Sequence, residues 1–270
     1  VDVYVAGSTT PLTKLKPAGI LDPLEPELIL PDVVDPVKWR GGTLPWVDKD
    51  HYILAPAPSP ASSILLNTDL VDKSEISSYL DLINPKWKGK INITNPVRPG
   101  ASGKWATVMG SEIMGWDFMR NLVKMDPLIA GDNRSSVEWV AKGKSAIALG
   151  PSAELIIEFK NAGAKIELII PREGTYLVAG NTPISVINNR PHPNSARLFI
   201  NWYLSKEGQD ILAKYDVRQS SRLDASIEGL PDVKLIIPGV KYFNSEREEF
   251  LSKEPEYLQM IKEIFTTLIQ

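Results

Sequence analysis

"KGKINITNPVRPGASGKWATVMG" (residues 88–110) joins an apolar run to a helix-forming stretch through a turn of proline, glycine and small residues. "KGKINITNP" reads as a strand, and the periodicity after the turn predicts a helix over 103–114. A turn in this position exposes backbone N–H groups at a helix start, where the helix dipole is positive. It is not a nucleotide-binding P-loop. That motif needs four residues between its glycines, then Lys and Ser or Thr; Gly100 and Gly103 enclose only two, and Trp105 follows Lys104. Two readings stay open here, an anion-holding helix terminus and a plain helix start.

Two further loops of similar composition lie outward from this one. "GDNRSS" (131–136) precedes a helix, with Ser135 read as N-cap and Glu138 completing a capping box. "GSTT" (7–10) ends the strand "VDVYVA". Ligands of open α/β sheets bind beyond the carboxyl ends of strands, so three polar loops after strands predict a polar cleft. Residues 11–50 are rich in proline and read as mostly irregular. Strands "SAIALG", "AKIELIIP" and "TPISVINN" then alternate with helices over 116–125, "SAELIIEFKNAG" and "NSARLFINWYLSKEGQDILAKYD", the last with Asn194 as its first cap. An amphipathic helix ends the chain. The alternation predicts an α/β architecture with largely parallel sheets. Pro- and Ser-rich 57–63 and the stretch 171–183 read as crossings between two lobes, one of 64–170 and one of 1–56 with 184–270.

Composition narrows the function. Thirty basic residues against 33 acidic ones give a net charge of −3, which advertises neither nucleic acid nor an anionic membrane as partner. Cysteine is absent, which removes disulfides, thiolate catalysis and zinc–sulfur sites. Val1 opens the chain without a Met or a signal peptide, so it reads as a processed or truncated product. His51 and His192 sit in loops and read as exposed, and no G-x-S-x-G elbow supports a Ser–His–Asp triad. Asp32, Asp35, Asp48 and Asp50 read as solvated, and only Glu154 and Glu173 are placed to act as a general base. Nothing here argues for an enzyme.

The ordered series "DPVKWRGG", "WVDKD", "NTDLV", "YLDLINPKWKGKINITNPVRPG", "VEWVAKGKSAIALG", "GAKIELIIPREGT" and "PHPNSARLFINWYLSKEGQ" resembles the bacterial ABC-transporter solute-binding proteins. It is most similar to the ferric-iron-binding subgroup of the family 1 extracellular solute-binding proteins, over most of the chain from Val1 to about Arg222. The resemblance implies a two-lobe, Venus-flytrap fold of the type II periplasmic-binding-protein kind, with a mixed, largely parallel sheet in each lobe. It implies hinge closure on a small solute and delivery to an ABC permease. It further implies a monomer without nucleic-acid partner or cofactor, periplasmic or extracellular, with a membrane tether allowed.

Two departures from the family pattern matter. Iron-binding members carry adjacent tyrosines after the strand matching "SAIALG"; this chain has Gly150, Pro151, Ser152 and Ala153 there. Ferric iron wants hard oxygen ligands, and serine or backbone oxygens replace phenolates poorly. The expected solute is therefore an anion and no metal ligands are assigned, with an iron binder of atypical ligands, an enzyme and a sensor ectodomain as alternatives. The family also has a β-α-β-α portion before the strand that "VDVYVAGS" matches, so the first lobe is expected to be incomplete at its start. The set expected to face the solute is Gly7, Ser8, Thr9 and Thr10, Ser59, Arg98, Ala101, Ser102 and Gly103, Asn133, Arg134 and Ser135, Ser152, Glu154, and Tyr176. Arg98, Arg134 or Arg172 would neutralise the anion.

Overall fold

A computed structural model of the chain describes residues 1–98 and 101–268, the side chains of Ala101 and Ser102 excepted. Its first half runs β1 (Val3–Val5), β2 (Leu21–Asp22), α1 (Pro31–Val34), β3 (Ser59–Pro60), β4 (Ile64–Asn67), β5 (Ile91–Thr94), α2 (Ala101–Val108), α3 (Trp116–Lys124), β6 (Leu128–Ala130) and α4 (Asn133–Ala141). The second half runs β7 (Ile147–Leu149), α5 (Ala153–Asn161), β8 (Ile166–Ile169), β9 (Thr175–Val178), β10 (Ile184–Ile187), α6 (Pro193–Leu204), α7 (Lys206–Asp216), β11 (Tyr242–Asn244) and α8 (Glu248–Phe265). The chain divides into two compact units. The first holds Val1–Pro60, Leu177–Ile237 and Asn244–Ser252; the second holds Ala61–Tyr176, Pro238–Phe243 and Lys253–Gln270. Most of α8 thus groups with the second unit rather than with the 184–237 stretch.

In the first unit β10 carries β1 on one edge and β2 on the other, both antiparallel, with Val3 opposite Val186 and Leu21 opposite Ile187. This sheet is antiparallel where largely parallel pairing was expected. Strand–helix alternation predicts parallel pairing between strands that are neighbours in the sequence, and these partners lie more than 160 residues apart, so the alternation does not fix their direction. Leu24, Trp39, Leu54, Ile184, Val186, Ile200 and Leu204 form the core beneath it. α6 begins at Pro193 rather than behind an Asn194 cap: proline at the first helical position presets φ, and the His192 N–H donates to Asp2 Oδ1 at 3.0 Å. Ser205 separates α6 from α7 and caps α7 through the Gly208 N–H at 3.3 Å.

The second unit has a five-stranded mixed sheet in the order β6-β5-β7-β4-β8. β5 is parallel to both β6 and β7, while β4 is antiparallel to β7 and β8. Every residue of β4, β5 and β7 is buried, as a sheet covered on both faces requires. Leu65, Val137, Val140, Ala148, Ile156 and Ile166 pack α4 and α5 onto this sheet. The N-cap of α4 is Asp132, not Ser135: Asp132 Oδ1 accepts from the Ser135 N–H at 2.7 Å. The helix starts a turn early because Asp132, Asn133, Ser135 and Ser136 are all capping residues, and local spacing cannot choose among them. Among the described residues no helix is long and apolar enough to cross a membrane.

Candidate functional site

Three adjacent parallel strands of the second unit each run into a helix start at the same edge: β5 into α2, β6 into α4, and β7 into α5. Side chains of β5 fasten this edge. Asn92 and Thr94 alternate onto one face. Thr94 Oγ1 donates to Asn133 Oδ1 at 3.1 Å, and Ser136 Oγ donates to Asn92 Oδ1 at 2.6 Å. Asn92 Nδ2 donates in turn to Ser145 Oγ at 2.6 Å. These bonds lock the first turn of α4 against the end of β5. Polar residues at alternate positions of the apolar run "INIT" were the available signal for them.

The α2 turn is held from two sides. A Cβ at Gly103 would lie 2.5 Å from the Arg98 carbonyl oxygen, so the helix start folds onto the turn too closely for any side chain there. A Cβ at Gly150, which has φ +64°, would lie 2.5 Å from the Trp105 ring, so α2 rests directly on the loop after β7. Arg98 is exposed and bridges to the neighbouring loop through Gly131 O at 3.0 Å. Lys104 does not face the turn's donors; its Nζ lies 3.0 Å from the carboxylate of Glu254 on α8. The side chains of Ala101 and Ser102 lie outside the described residues.

The three helix starts differ in charge. α4 is capped by Asp132, whose carboxyl the Ser135 backbone N–H holds below the usual carboxylate range. α5 carries Glu154 in its first turn, and Ser152 Oγ donates to that carboxylate at 2.6 Å. α2 has no acid in its first turn. Arg134 is engaged elsewhere, its Nη2 donating to both carboxylate oxygens of Glu158 at 2.7 and 2.9 Å. Arg172 pairs with Glu173 at 3.2 Å. Burial pushes the Glu173 carboxyl up, but hydrogen bonds from Ser78 Oγ and the Tyr79 N–H outweigh it and leave the group below its ordinary value. An ionised carboxylate that already accepts from Ser78, Tyr79 and Arg172 is a poor general base. Tyr176 is buried; burial, with Tyr79 and Glu254 adding to it, pushes its phenol up and keeps it protonated.

The remaining expected residues belong to the first unit. Ser8 is buried, and its Oγ donates to Glu246 Oε2 at 2.6 Å. Glu246 Oε1 accepts from the Ala179 N–H at 3.1 Å. Ser8 therefore ties the loop after β1 to the loop after β9. Glu246 escaped the sequence reading because 238 residues separate it from Ser8. Gly7 abuts Gly180, its Cβ position 3.5 Å from the Gly180 oxygen. Thr9 O accepts from Thr13 Oγ1 at 2.7 Å, and Thr10 leads into the turn Pro11–Leu15 without a side-chain cap. Ser59 is buried in β3, and its Oγ meets no hydrogen-bond partner among the described residues. Of the two histidines, His51 is half-buried, stacked on Trp46 and paired with Glu25 at 2.9 Å. Among the described residues no group of three or more His, Cys, Asp or Glu side chains is arranged to hold a metal ion.

The profile of the bacterial extracellular solute-binding proteins matches residues 1–216. The chain belongs to that family. This solute-binding chain is 27% identical to an uncharacterized protein of Haemophilus influenzae over 229 residues, 79% of the chain and 61% of that protein. It is 22% identical to iron uptake protein A1 of Synechocystis over 256 residues, 86% of the chain and 66% of that protein. The solute-binding chain thus spans under two thirds of the length of the curated relatives it matches. Among solved structures it shares the fold of the periplasmic binding protein AfuA from Actinobacillus pleuropneumoniae with fructose-6-phosphate bound. That match has a TM-score of 0.70 at 20% identity, covering 99% of the chain and 82% of that protein.

Proposed function

We propose that the chain is the solute-binding component of an ABC importer and captures a small anionic solute outside the cytoplasm. The two units act as lobes that close on the solute about the crossings 57–63 and 171–183, and a membrane permease receives it. The supporting observation is the α2 start. Its first turn carries no acid, whereas α4 is capped by Asp132 and α5 carries Glu154 in its first turn, and Arg98 stands in the turn before it. Backbone donors and a positive dipole in that position suit a phosphoryl or carboxylate oxygen. The sugar phosphate in AfuA and the family membership agree with binding rather than catalysis.

A thermal-shift screen of the full chain against inorganic phosphate, hexose phosphates, carboxylates and metals tests the reading. A solute at a hundredfold excess over Kd stabilises by about 2.7 kcal/mol, which raises Tm by roughly 5–10 °C for a protein of this size. Ser102→Glu, which adds the missing first-turn acid, is expected to erase the shift while leaving Tm without solute unchanged. A flat screen would sink the proposal. Ferric iron with atypical ligands is the second reading, favoured by the name of the Synechocystis relative. Saturable ferric-iron binding on titration would establish it in place of the first, and a tyrosinate-to-iron charge-transfer band would overturn the argument from the missing tyrosine pair.

A further inference from the structure

α8 runs unbroken from Glu248 to Phe265, yet its residues divide between the two units. Glu248–Ser252 group with the first, and the helix from Lys253 onward groups with the second. Pro255 stands inside the helix, just past that division. Proline has no N–H to donate to the carbonyl four residues back, and its ring crowds that carbonyl, so a helix bends there. The carbonyl concerned is that of Leu251, so the missing hydrogen bond is one that would tie the two parts of α8 together across the division. Pro31 and Pro193 instead open α1 and α6, where proline costs no helical bond. An interior position is where proline is least favourable in a helix.

Each part of α8 is fixed within its own unit. In the first, the Glu248 N–H donates to Val47 O at 3.0 Å, and the Lys49 N–H donates to Glu248 Oε2 at 3.0 Å. Lys49 Nζ lies 3.0 Å from Glu249 Oε1, and Phe250 and Leu251 are buried. In the second unit the partners are α2 and α3. Glu254 pairs with Lys104 at 3.0 Å, both side chains nearly closed to solvent. Leu258 Cδ2 lies 3.0 Å from the Cβ position of Gly103, and the Tyr257 ring centre lies 5.8 Å from that of Trp116. Ile261 and Phe265 are buried. Gly103 and Lys104 belong to the first turn of α2, so this part of α8 packs on the helix start proposed to hold the anion.

We propose that α8 is a strap that couples the α2 start to the first unit, with Pro255 as its bending point. A solute seated at the α2 turn shifts the part of α8 that rests on Gly103 and Lys104. The helix flexes at Pro255 while its first turn stays on Val47 and Lys49. An unbroken helix would resist closure about the crossings 57–63 and 171–183, whereas one that lacks a hydrogen bond at the division yields there. The inference rests on the reading that the chain binds an anionic solute at the α2 start.

Isothermal titration and amide hydrogen exchange of the full chain and of Pro255→Ala, with inorganic phosphate, a hexose phosphate and citrate as probes, test it. In wild type the anion that binds is expected to change exchange in the segment 250–258 as well as in α2. Pro255→Ala restores the N–H and stiffens the helix. It is expected to melt no lower than wild type, to bind the same anion about threefold or more weakly, and to lose the exchange change in 250–258. A proline that only kinks the helix would alter Tm and leave affinity and exchange where they were. Equal affinity of the two proteins, or solute binding by wild type with no exchange change in 250–258, therefore overturns the inference and leaves the function standing. Failure of wild type to bind any probe overturns both.

Discussion

Arg222 and Arg218 leave the same loop four residues apart and meet opposite surroundings. The Arg222 side chain is fully buried, yet its three nitrogens are all engaged. Nε donates to Asp224 at 2.9 Å, Nη1 to the carbonyls of Asp32 and Leu204 at 3.2 and 3.1 Å, and Nη2 to the carboxylates of Asp32 and Asp224 at 2.8 and 3.1 Å. Its guanidinium also lies 5.5 Å from the centre of the Trp39 ring. Arg218 is less buried, has one carboxylate partner, and keeps Nη1 without an acceptor. A saturated buried arginine is part of the scaffold. An unsaturated one, held by strained backbone at Val217, is a local cost that the rest of the unit offsets.

Three measurements can break or sharpen this contrast. The largest effect is expected at Arg222. Arg222→Ala leaves a void beside Trp39 and strands two carbonyls and two carboxylates, and should cost about 3–5 kcal/mol in urea denaturation. A loss under about 1 kcal/mol would show that the buried cluster is not structural. The second effect concerns pH. The Arg222 hydrogen bond, with Lys38 assisting, holds the Asp224 carboxyl down at about 2 from an ordinary 3.8. A lowered folded-state value means that the stabilisation is complete above the unfolded value and is lost as pH falls from about 4 to about 2. Urea melts across that window should show a fall on the order of 2 kcal/mol, and Asp224→Asn should remove it. If the variant retains the same acid slope, Asp224 is not its source. The smallest effect is expected at Arg218. Arg218→Gln gives up one half-exposed ion pair and also an uncompensated donor, so its stability should stay within about 1 kcal/mol of wild type. A loss as large as that of Arg222→Ala would make both arginines scaffold and erase the contrast.

The two units were unequally legible for a related reason. In the second, "KGKINITNPVRPGASGKWATVMG" and "GDNRSS" each lead into a helix start within a few residues, so their loops could be read from local spacing. The error there was small, a shift of the α4 cap from Ser135 to Asp132 among neighbouring residues that all cap well. In the first unit the sheet is knitted from Val3–Val5, Leu21–Asp22 and Ile184–Ile187, and no periodicity within one strand reveals an antiparallel partner so far away. Ser8 looked like a loop serine open to ligand for the same reason; its partner, Glu246, lies near the other end of the chain. Arg134 looked like a free cation until the helix geometry brought Glu158 to it.

By itself the sequence determined the alternation of strands and helices, the small-residue turn before α2, the absence of a nucleotide loop and of cysteine chemistry, and the resemblance to solute-binding proteins. These follow from short-range spacing and composition, which survive without coordinates. Only the tertiary structure decided which charges are already matched. It gave Lys104 to Glu254, Arg134 to Glu158 and Arg222 to two aspartates, and it left Arg218 Nη1 without an acceptor among the described residues. The physical reason is that a charge is available to a ligand only after its neighbours in space have been counted, and most of those neighbours are remote in the chain.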